Sequence, residues 1–517
     1  MNKKTNIRGI LFLCAFFLSS ITLIGLTNQG LADTTKNNQT MPTIHISTMF
    51  QTTNTLDSMI NDFNANYSAS YGFKVQLDQS DFATISQHDT YVNDFKAESS
   101  SLDIISMDVI WPAEFSNAGW LLPMDNIFNT SYQAQFLQAP IQAATLLGHV
   151  YAVPWFHDSA MLFYRTDVLQ YANTNAIIND PNAAPPTTWA QLSNWTTAMM
   201  SNTALVQKFN LTAGFVWQGK AYEGLMCDLM EYIGGTGTYS FLNTAQTEPI
   251  FNSSSGIKDA LNYMKYLINS GTSPESVLTY DEEASRAVWN GGGAIFMRNW
   301  PYAYASSLNS PSLNGVQTGT NVQQFNVTLM PAQSSTVLNP KTSCLGGWEL
   351  GVSAFSKYPD QAKKFIMWLT DAQNQLRYFL GNGYTPTIKS LYNNAAVINS
   401  KQGYVHNFLP AFENSIPRPT SPYYPQMSGK IYPIVNAFLG GSLNLSSTLD
   451  KLQSNVQQII NDNPLPGQTT TSQTNSGPTN TSGSTVTTNP GFEFFSILAV
   501  FVFVPIFIQK KKNGNKK

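Results

Sequence analysis

Carboxylates and tryptophans recur together where short apolar segments of this 517-residue chain meet a glycine or a proline. Asp108 and Trp111 follow the run "LDIISM". The other places carry Trp155, Phe156, His157 and Asp158; Arg298 and Trp300; and Gly347 and Trp348. A tryptophan ring covers the apolar C–H face of a sugar, and carboxylates and guanidinium groups bind its hydroxyls. The repetition therefore indicates one shared cleft for a polyhydroxylated solute.

The same residue types also fit roles that involve no solute. Asp108 would serve equally well as a cap for a helix that begins near Trp111, and a single tryptophan at a strand end is usually a packing residue. Asp108 and Asp158 would also suit a cell-surface glycosidase, as its acid and its nucleophile or base. The histidines are scattered without metal-ligand spacing, so no metal or cofactor is predicted.

The elements that position these residues have the pattern of a parallel α/β sheet. "TIHIST" from Thr43 and "FKVQLD" from Phe73 predict strands, and Leu102–Met107 predicts a third. Between them, residues 55–67 and 89–98 have the apolar spacing of amphipathic helices. Ligands of such sheets bind beyond the carboxyl ends of the strands, which is where Asp108 stands.

Composition excludes one class of partner and suggests two domains. Charged residues make up 11% of the chain and the net charge is −3, so no basic surface for nucleic acid is expected. About 420 residues are too many for a single core. Cys227 and Cys344 follow the predicted leader, and the sequence leaves open whether they pair.

The two ends of the chain predict export and anchoring. Basic residues, an apolar run and small residues over 1–32 are typical of a signal peptide. At the other end, 463–490 predicts a Thr/Ser-rich stalk, 492–508 a transmembrane helix and 509–517 a basic cytoplasmic tail. The globular body is then expected at the cell surface, outside the cytoplasmic membrane.

Five segments, in order, resemble the extracellular solute-binding proteins of ABC importers, in particular the archaeal trehalose/maltose-type sugar-binding branch. They are "SLDIISMDVIWPAEFSNAGWLLPMD", "VYAVPWFHDSAMLFYRTDVL", "GAIFMRNWPYAYA", "LGGWELGVSAFS" and "IPRPTSPYYPQMSGKIYP". The resemblance covers Pro42 to about Asn463. It implies a type II periplasmic-binding-protein-like fold with two α/β lobes, and no enzymatic activity.

The resemblance also implies lobe boundaries and site residues. Lobe 1 would comprise 42–153 and 297–344, and lobe 2 would comprise 154–296 and 345–462. Crossings between the lobes are expected near Tyr151–Trp155, Ala294–Asn299 and Leu345–Leu350. The sugar contacts that it implies are Asp108, Asp158, Trp300, Gly347, Trp348 and Arg418, with Trp111 and Phe156 beside them and His88 and Gln51 as looser matches.

Capture of a mono- or oligosaccharide for an ABC permease is the function that this resemblance implies. A polyol or a peptide remains an alternative solute, and the glycosidase remains the alternative activity. The sugar itself cannot be read from the sequence, because solutes vary widely within this fold.

Overall fold

A computed structural model describes residues 41–48, 54–79, 84–180, 184–317, 320–334 and 342–463. The predicted signal peptide, transmembrane helix and basic tail, and all but the first residue of the predicted stalk, lie outside these ranges. Within them, no helix combines the length and the apolar character needed to cross a membrane.

Thirteen strands are described in this part of the chain. They are β1 Thr43–Thr48, β2 Lys74–Gln79, β3 Ile104–Asp108, β4 Thr145–Leu146, β5 His149–Val150, β6 Ala152–Ser159, β7 Met161–Arg165, β8 Ala213–Val216, β9 Ala294–Asn299, β10 Asn314–Gln317, β11 Thr320–Gln323, β12 Phe325–Thr328 and β13 Leu345–Val352.

The α-helices lie between these strands and, after β13, make up the last part of the described chain. They are α1 Asn54–Asp62, α2 Ser68–Tyr71, α3 Thr84–Lys96, α4 Pro112–Asn117, α5 Thr130–Gln133, α6 Gln138–Ala143, α7 Thr166–Thr174, α8 Trp189–Ser201, α9 Thr203–Phe209, α10 Glu223–Gly235, α11 Ser255–Asn269, α12 Glu282–Asn290, α13 Tyr302–Leu308, α14 Pro359–Leu369, α15 Ala372–Asn382, α16 Ala395–Ile398, α17 Leu409–Glu413, α18 Tyr424–Leu439 and α19 Leu445–Asp462.

The first large sheet has the strand order β2-β1-β3-β13-β6. Strand β1 runs parallel to β2 and β3, as the alternating strand and helix patterns predicted. Strand β13 is antiparallel to both β3 and β6, and it inserts the distant residues 345–352 between them. Ile44 and Ile46 of β1 are fully buried, because helices such as α1 and α14 cover the sheet.

The second large sheet has the order β12-β7-β9-β8. Strand β9 is parallel to β8 and antiparallel to β7, and helices α8 and α12 pack on the sheet. Each sheet has its own apolar core, one around Phe63 and Phe365 and the other around Phe215 and Phe296. The predicted two-lobe α/β architecture is therefore confirmed.

The chain passes between the two sheets at other places than predicted. Only Ala160 separates β6 in the first sheet from β7 in the second. The second crossing lies between β12 and β13, and the third joins α17, which packs near β6, to α18, which packs on α10. The predicted crossing at Ala294–Asn299 is wrong, because these residues form β9 inside the second sheet.

The assignment of segments to lobes after residue 296 is corrected in the same way. Strand β12 belongs to the second sheet rather than to lobe 1, and β13 belongs to the first sheet rather than to lobe 2. Asp158, near the end of β6, also belongs to the first sheet. Chain order alone did not show that β13 inserts between β3 and β6.

The three crossing segments are hydrogen-bonded side by side. Leu345 donates its backbone N–H to Ile416 at 2.7 Å, and Ile416 donates to Ser343 at 2.8 Å. The Ser159 and Ser415 hydroxyls are 2.8 Å apart. These bonds join the segments into one narrow connection between the lobes.

Candidate functional site

A cavity of about 680 Å³ lies where the ends of strands from the first sheet face the second lobe. Eight of the ten residues proposed from sequence line it, namely His88, Asp108, Trp111, Asp158, Trp300, Gly347, Trp348 and Arg418. Those from β3, β6 and β13 approach from the first lobe, and Trp300 follows β9 of the second.

Two of the proposed residues are not in this wall. Phe156 is buried in the core of the first lobe, with its ring centre 4.4 Å from that of Tyr384. An aromatic side chain fits a cavity wall or an apolar core equally well, and Phe156 lies in the core. Gln51 lies outside the described residues.

Asp108 closes β3 with its side chain in the cavity wall. Its Oδ1 accepts the Ile110 backbone N–H at 3.2 Å and an Arg418 Nη2–H at 3.0 Å. Trp111 is the residue at the N-terminal cap of α4, so Asp108 caps the turn before the helix and not the helix itself. Capping this turn and lining the cavity are thus compatible roles for Asp108.

Asp158 is a buried carboxyl without a full set of partners. It is 8% exposed, and its Oδ1 accepts no hydrogen bond from the part of the chain that the structure describes. Burial, reinforced by the like charges of Asp108 and Glu282, raises the pKa of Asp158 to about 8, although Arg298 opposes this. A buried polar atom left unpaired is costly unless a ligand completes it.

The tryptophans form two faces of the cavity. Trp348 of β13 packs edge-to-face on Trp111, with ring centres 5.4 Å apart and an interplanar angle of 84°. On the other side, the Arg298 guanidinium lies 4.0 Å from the centre of the Trp300 ring. Trp300 also donates its Nε1–H to Glu282 at 3.3 Å. Both rings are therefore held in place before any solute binds.

A buried ionic network beneath Trp300 fixes the strand that carries it. The Arg298 side chain is fully buried, and it donates to Glu231 of α10 and, at 2.9 Å, to Gln218 Oε1. Because these bonds join β9 to α10, the corner that holds Trp300 cannot shift without breaking them.

Arg418 was expected to bind the sugar, but its guanidinium is already bonded to two carboxylates of the protein. Its Nη1 donates to Glu223 at 2.8 Å and its Nη2 to Asp108 at 3.0 Å, and its side chain is only 2% exposed. Asp108 ends β3 of the first lobe, whereas Glu223 begins α10 of the second. We call these three residues the interlobe triad. Arg418 therefore joins the two walls of the cavity.

His88 lies at the first-lobe edge of the cavity, against Glu114. Its Nε2 is 2.7 Å from Glu114 Oε2. Burial disfavours the protonated ring, but the hydrogen bond and the charge of Glu114 outweigh it, so the pKa of His88 is raised. His88, which was only a loose match in the sequence, thus lies in the cavity wall.

Gly347 occupies a backbone conformation that only glycine adopts easily. Its φ is +118°, and the pairing of β13 with β6 becomes irregular just after it, between Trp348 and Glu349. A Cβ atom there would lie 2.5 Å from the Phe156 carbonyl oxygen. The glycine lets β13 pass close to β6 and brings Trp348 to the cavity.

Gly347→Ala should therefore lower the free energy of unfolding by about 1–3 kcal/mol, the usual cost of a strained backbone. Gly429→Ala is the matched control, because Gly429 lies in α18 with no atom within 4 Å of its added Cβ. The control should be neutral or stabilising by about 0.4–1 kcal/mol. Urea unfolding of both variants measures the difference, and equal stabilities would contradict this role of Gly347.

Sequence reasoning missed several wall residues, namely Tyr222, Glu223, Glu282, Glu283, Tyr302 and Tyr384. Tyr222 donates to Glu282 at 2.6 Å and Tyr302 donates to Glu283 at 2.8 Å. The sequence signal for Glu282 and Glu283 was "YDEEAS" from Tyr280, but acidic residues in a first helical turn are common and Asp281 does cap α12.

The described residues contain no cluster of three or more His, Cys, Asp or Glu side chains that could hold a metal ion. Cys227, in the wall, and Cys344 are both buried and free. Aromatic rings, carboxyls and the buried Arg418 guanidinium are the main chemical groups of the described wall.

Comparison with known proteins agrees with this architecture. The sequence model of the family described as "Bacterial extracellular solute-binding protein" matches residues 51–376. A "Probable ABC transporter-binding protein" of Deinococcus radiodurans is 32% identical over 333 residues, which cover 64% of this chain and 73% of the relative.

Solved structures with the same fold include maltose-bound MalE3 of T. maritima, which is 28% identical with a TM-score of 0.69. That match covers 81% of this chain and 99% of MalE3. A solute-binding protein of Thermotoga lettingae, bound with α-D-tagatose, is 22% identical with a TM-score of 0.66 and covers 81% and 100% of the two chains. The relatives named are bacterial, so the predicted archaeal branch stays a prediction.

Proposed function

The chain belongs to the family of bacterial extracellular solute-binding proteins, and we propose that it captures a mono- or oligosaccharide in the cavity between its two lobes. This family serves ABC transporters and its members are not enzymes, which removes the glycosidase alternative. The extracellular location of this chain follows from the same family membership.

The wall of the cavity is the observation that carries the proposal for a sugar. Trp300 and Trp348 offer apolar faces from opposite lobes, and the Asp158 carboxyl is buried with one oxygen unpartnered. Sugar rings combine apolar faces with hydroxyls that both donate and accept hydrogen bonds. The resemblance to maltose-bound MalE3 supports the same class of solute.

Binding would favour the closed arrangement of the lobes. A solute in this cavity contacts residues of both sheets, so only the closed arrangement provides the full set of contacts. The narrow connection around Ala160, Ser343 and Ile416 is where such a movement would take place.

Delivery to a permease and membrane tethering are further parts of the proposal. An ABC permease would select the closed, loaded form. The apolar segment 492–508 with its basic flank would anchor the chain in the cytoplasmic membrane, and 463–490 would act as the tether.

A thermal-shift screen of the purified full-length chain tests the proposed function. A sugar that binds only the folded state raises the melting temperature as its concentration rises. We expect at least one mono- or oligosaccharide to do so. Stabilisation by peptides or polyols but not by sugars would overturn the proposal.

The buried Asp158 predicts how stability depends on pH. Its folded-state pKa of about 8 lies above its ordinary value of 3.8, so folding takes up a proton between pH 4 and 8. This group therefore contributes most at low pH, and its contribution falls as pH rises, by at most about 1.4 kcal/mol per pH unit.

Asp158→Asn should remove this pH dependence, because the amide does not titrate. Urea unfolding at pH 5, 6, 7 and 8 measures the pH dependence of stability. The control is Asp259→Asn, which changes an exposed aspartate. If Asp158→Asn and the wild type lose stability in parallel over this range, Asp158 is not a protonated buried group.

A further inference from the structure

The described wall of the cavity is strongly acidic. Its carboxyl residues are Asp89, Asp108, Glu114, Asp158, Glu223, Glu282 and Glu283. Arg418 and His88 are the basic residues in the same described wall. A solute that enters it therefore meets a negative potential, which the low dielectric of a closed cavity strengthens.

Neighbouring protein groups already pair most of these charges. Arg418 binds both Asp108 and Glu223, and His88 faces Glu114. Glu283 pairs with Arg286, which lies next to it on α12. None of these carboxyls needs a positive charge from the solute.

Asp158 and Glu282 differ, because no ion pair with either is found in the described part of the chain. Glu282 accepts hydrogen bonds from two neutral donors, Tyr222 at 2.6 Å and Trp300 at 3.3 Å. Asp158 has an unpartnered Oδ1. The nearby Arg298 guanidinium is fully buried and directed to Glu231 and Gln218.

These two carboxyls share one corner of the cavity with aromatic rings. The Cβ built on Gly346 would lie 3.0 Å from the Trp300 ring and 3.2 Å from the Asp158 Cβ, so Asp158 and Trp300 flank the same point. Glu282 contacts Trp300 directly. We call Asp158, Glu282, Trp300 and Tyr222 the acidic subsite.

We propose that the acidic subsite binds a protonated amine, so that the solute is a sugar that carries an amino group. This inference rests on the proposed function and specifies its substrate class. An ammonium group has three donors and no acceptor, which suits the Asp158 and Glu282 oxygens.

The charge state of Asp158 supports this assignment. The like charges of Asp108 and Glu282 help burial to raise the pKa of Asp158 to about 8. The positive charge of Arg298 lowers this pKa but does not outweigh burial. A bound ammonium would add a second opposite charge and stabilise the ionised carboxylate. A sugar carboxylate or phosphate would instead meet the like charges of Asp108 and Glu282, so anionic sugars are disfavoured.

Matched sugars test the charge preference by titration calorimetry of the full-length chain. The series are glucose, glucosamine and glucuronate, and the same triplets based on galactose and mannose. Cellobiose and the glucosamine disaccharide of chitosan extend the comparison to two rings. We expect an amino sugar to bind at least tenfold more tightly than its neutral counterpart, and its uronate to bind more weakly than both.

Two variants assign the preference to the subsite. Glu282→Gln should reduce the ratio of amino-sugar to neutral-sugar affinity at least threefold. Glu275→Gln, which changes an exposed glutamate outside the cavity wall, should leave that ratio unchanged.

The outcomes separate this inference from the proposed function. Neutral sugars that bind as tightly as amino sugars, or uronates that bind as tightly as either, would overturn the amine site while sugar binding stands. Binding of no sugar in any series would overturn both.

Discussion

Trp300→Ala should weaken sugar binding at least tenfold, which corresponds to about 1.4 kcal/mol. The ring is one of the two apolar faces of the cavity, and its position is fixed by Arg298 behind it and by Glu282 at its edge. Its loss leaves a gap where the sugar ring would stack. Because one side of the ring faces the cavity, we expect the variant to stay folded. Calorimetric titration with the sugar found by the thermal-shift screen measures the effect.

Two further variants make this result specific. Trp300→Phe keeps an aromatic face but loses the Nε1–H bond to Glu282, so it should lose less affinity than the alanine variant. Trp195→Ala changes a partly buried tryptophan outside the cavity wall and should leave affinity unchanged. Unchanged affinity in Trp300→Ala would remove Trp300 from the site.

Arg418→Met should lower the free energy of unfolding by about 3–5 kcal/mol, the usual cost of removing one partner from a buried ion pair. Asp108 and Glu223 would then lose their shared positive charge in the interlobe triad. Burial already raises the pKa of Glu223 even with Arg418 present. Urea unfolding at pH 7 measures the loss.

Arg377→Met is the matched control for this prediction. Arg377 pairs with Asp62 at 2.7 Å, but both side chains are about one-third exposed. Its loss should cost about 0–1 kcal/mol. Adding Glu223→Gln to Arg418→Met should recover part of the stability, because one unpaired carboxylate is removed. A cost in Arg418→Met no larger than in the control would contradict the triad.

The sequence predicted the local features of the site better than their allocation to lobes. Asp108 was found because it ends an apolar strand, which is a property of a short segment. The position of β13 between β3 and β6 depends on pairing across about 190 to 250 residues, and no local pattern encodes it. For that reason Trp348, which lines the cavity, was assigned to lobe 2, although β13 belongs to the first sheet.

Residues whose side chains have two plausible uses were the hardest to assign. Arg418 lies in the cavity wall, but the sequence could not show that its guanidinium is bonded to Asp108 and Glu223. Glu282 was missed because an acidic residue at the start of a helix is usually there for the helix. Only the arrangement in space shows that it faces Trp300 and Tyr222.

A crystal structure of the full-length chain with the most stabilising sugar tests the central claim most directly. The sugar should lie in the cavity, with a ring on Trp300 and contacts to Asp158 of the first lobe and Glu282 of the second. A sugar bound elsewhere on the molecule, or one that contacts a single lobe, would contradict it.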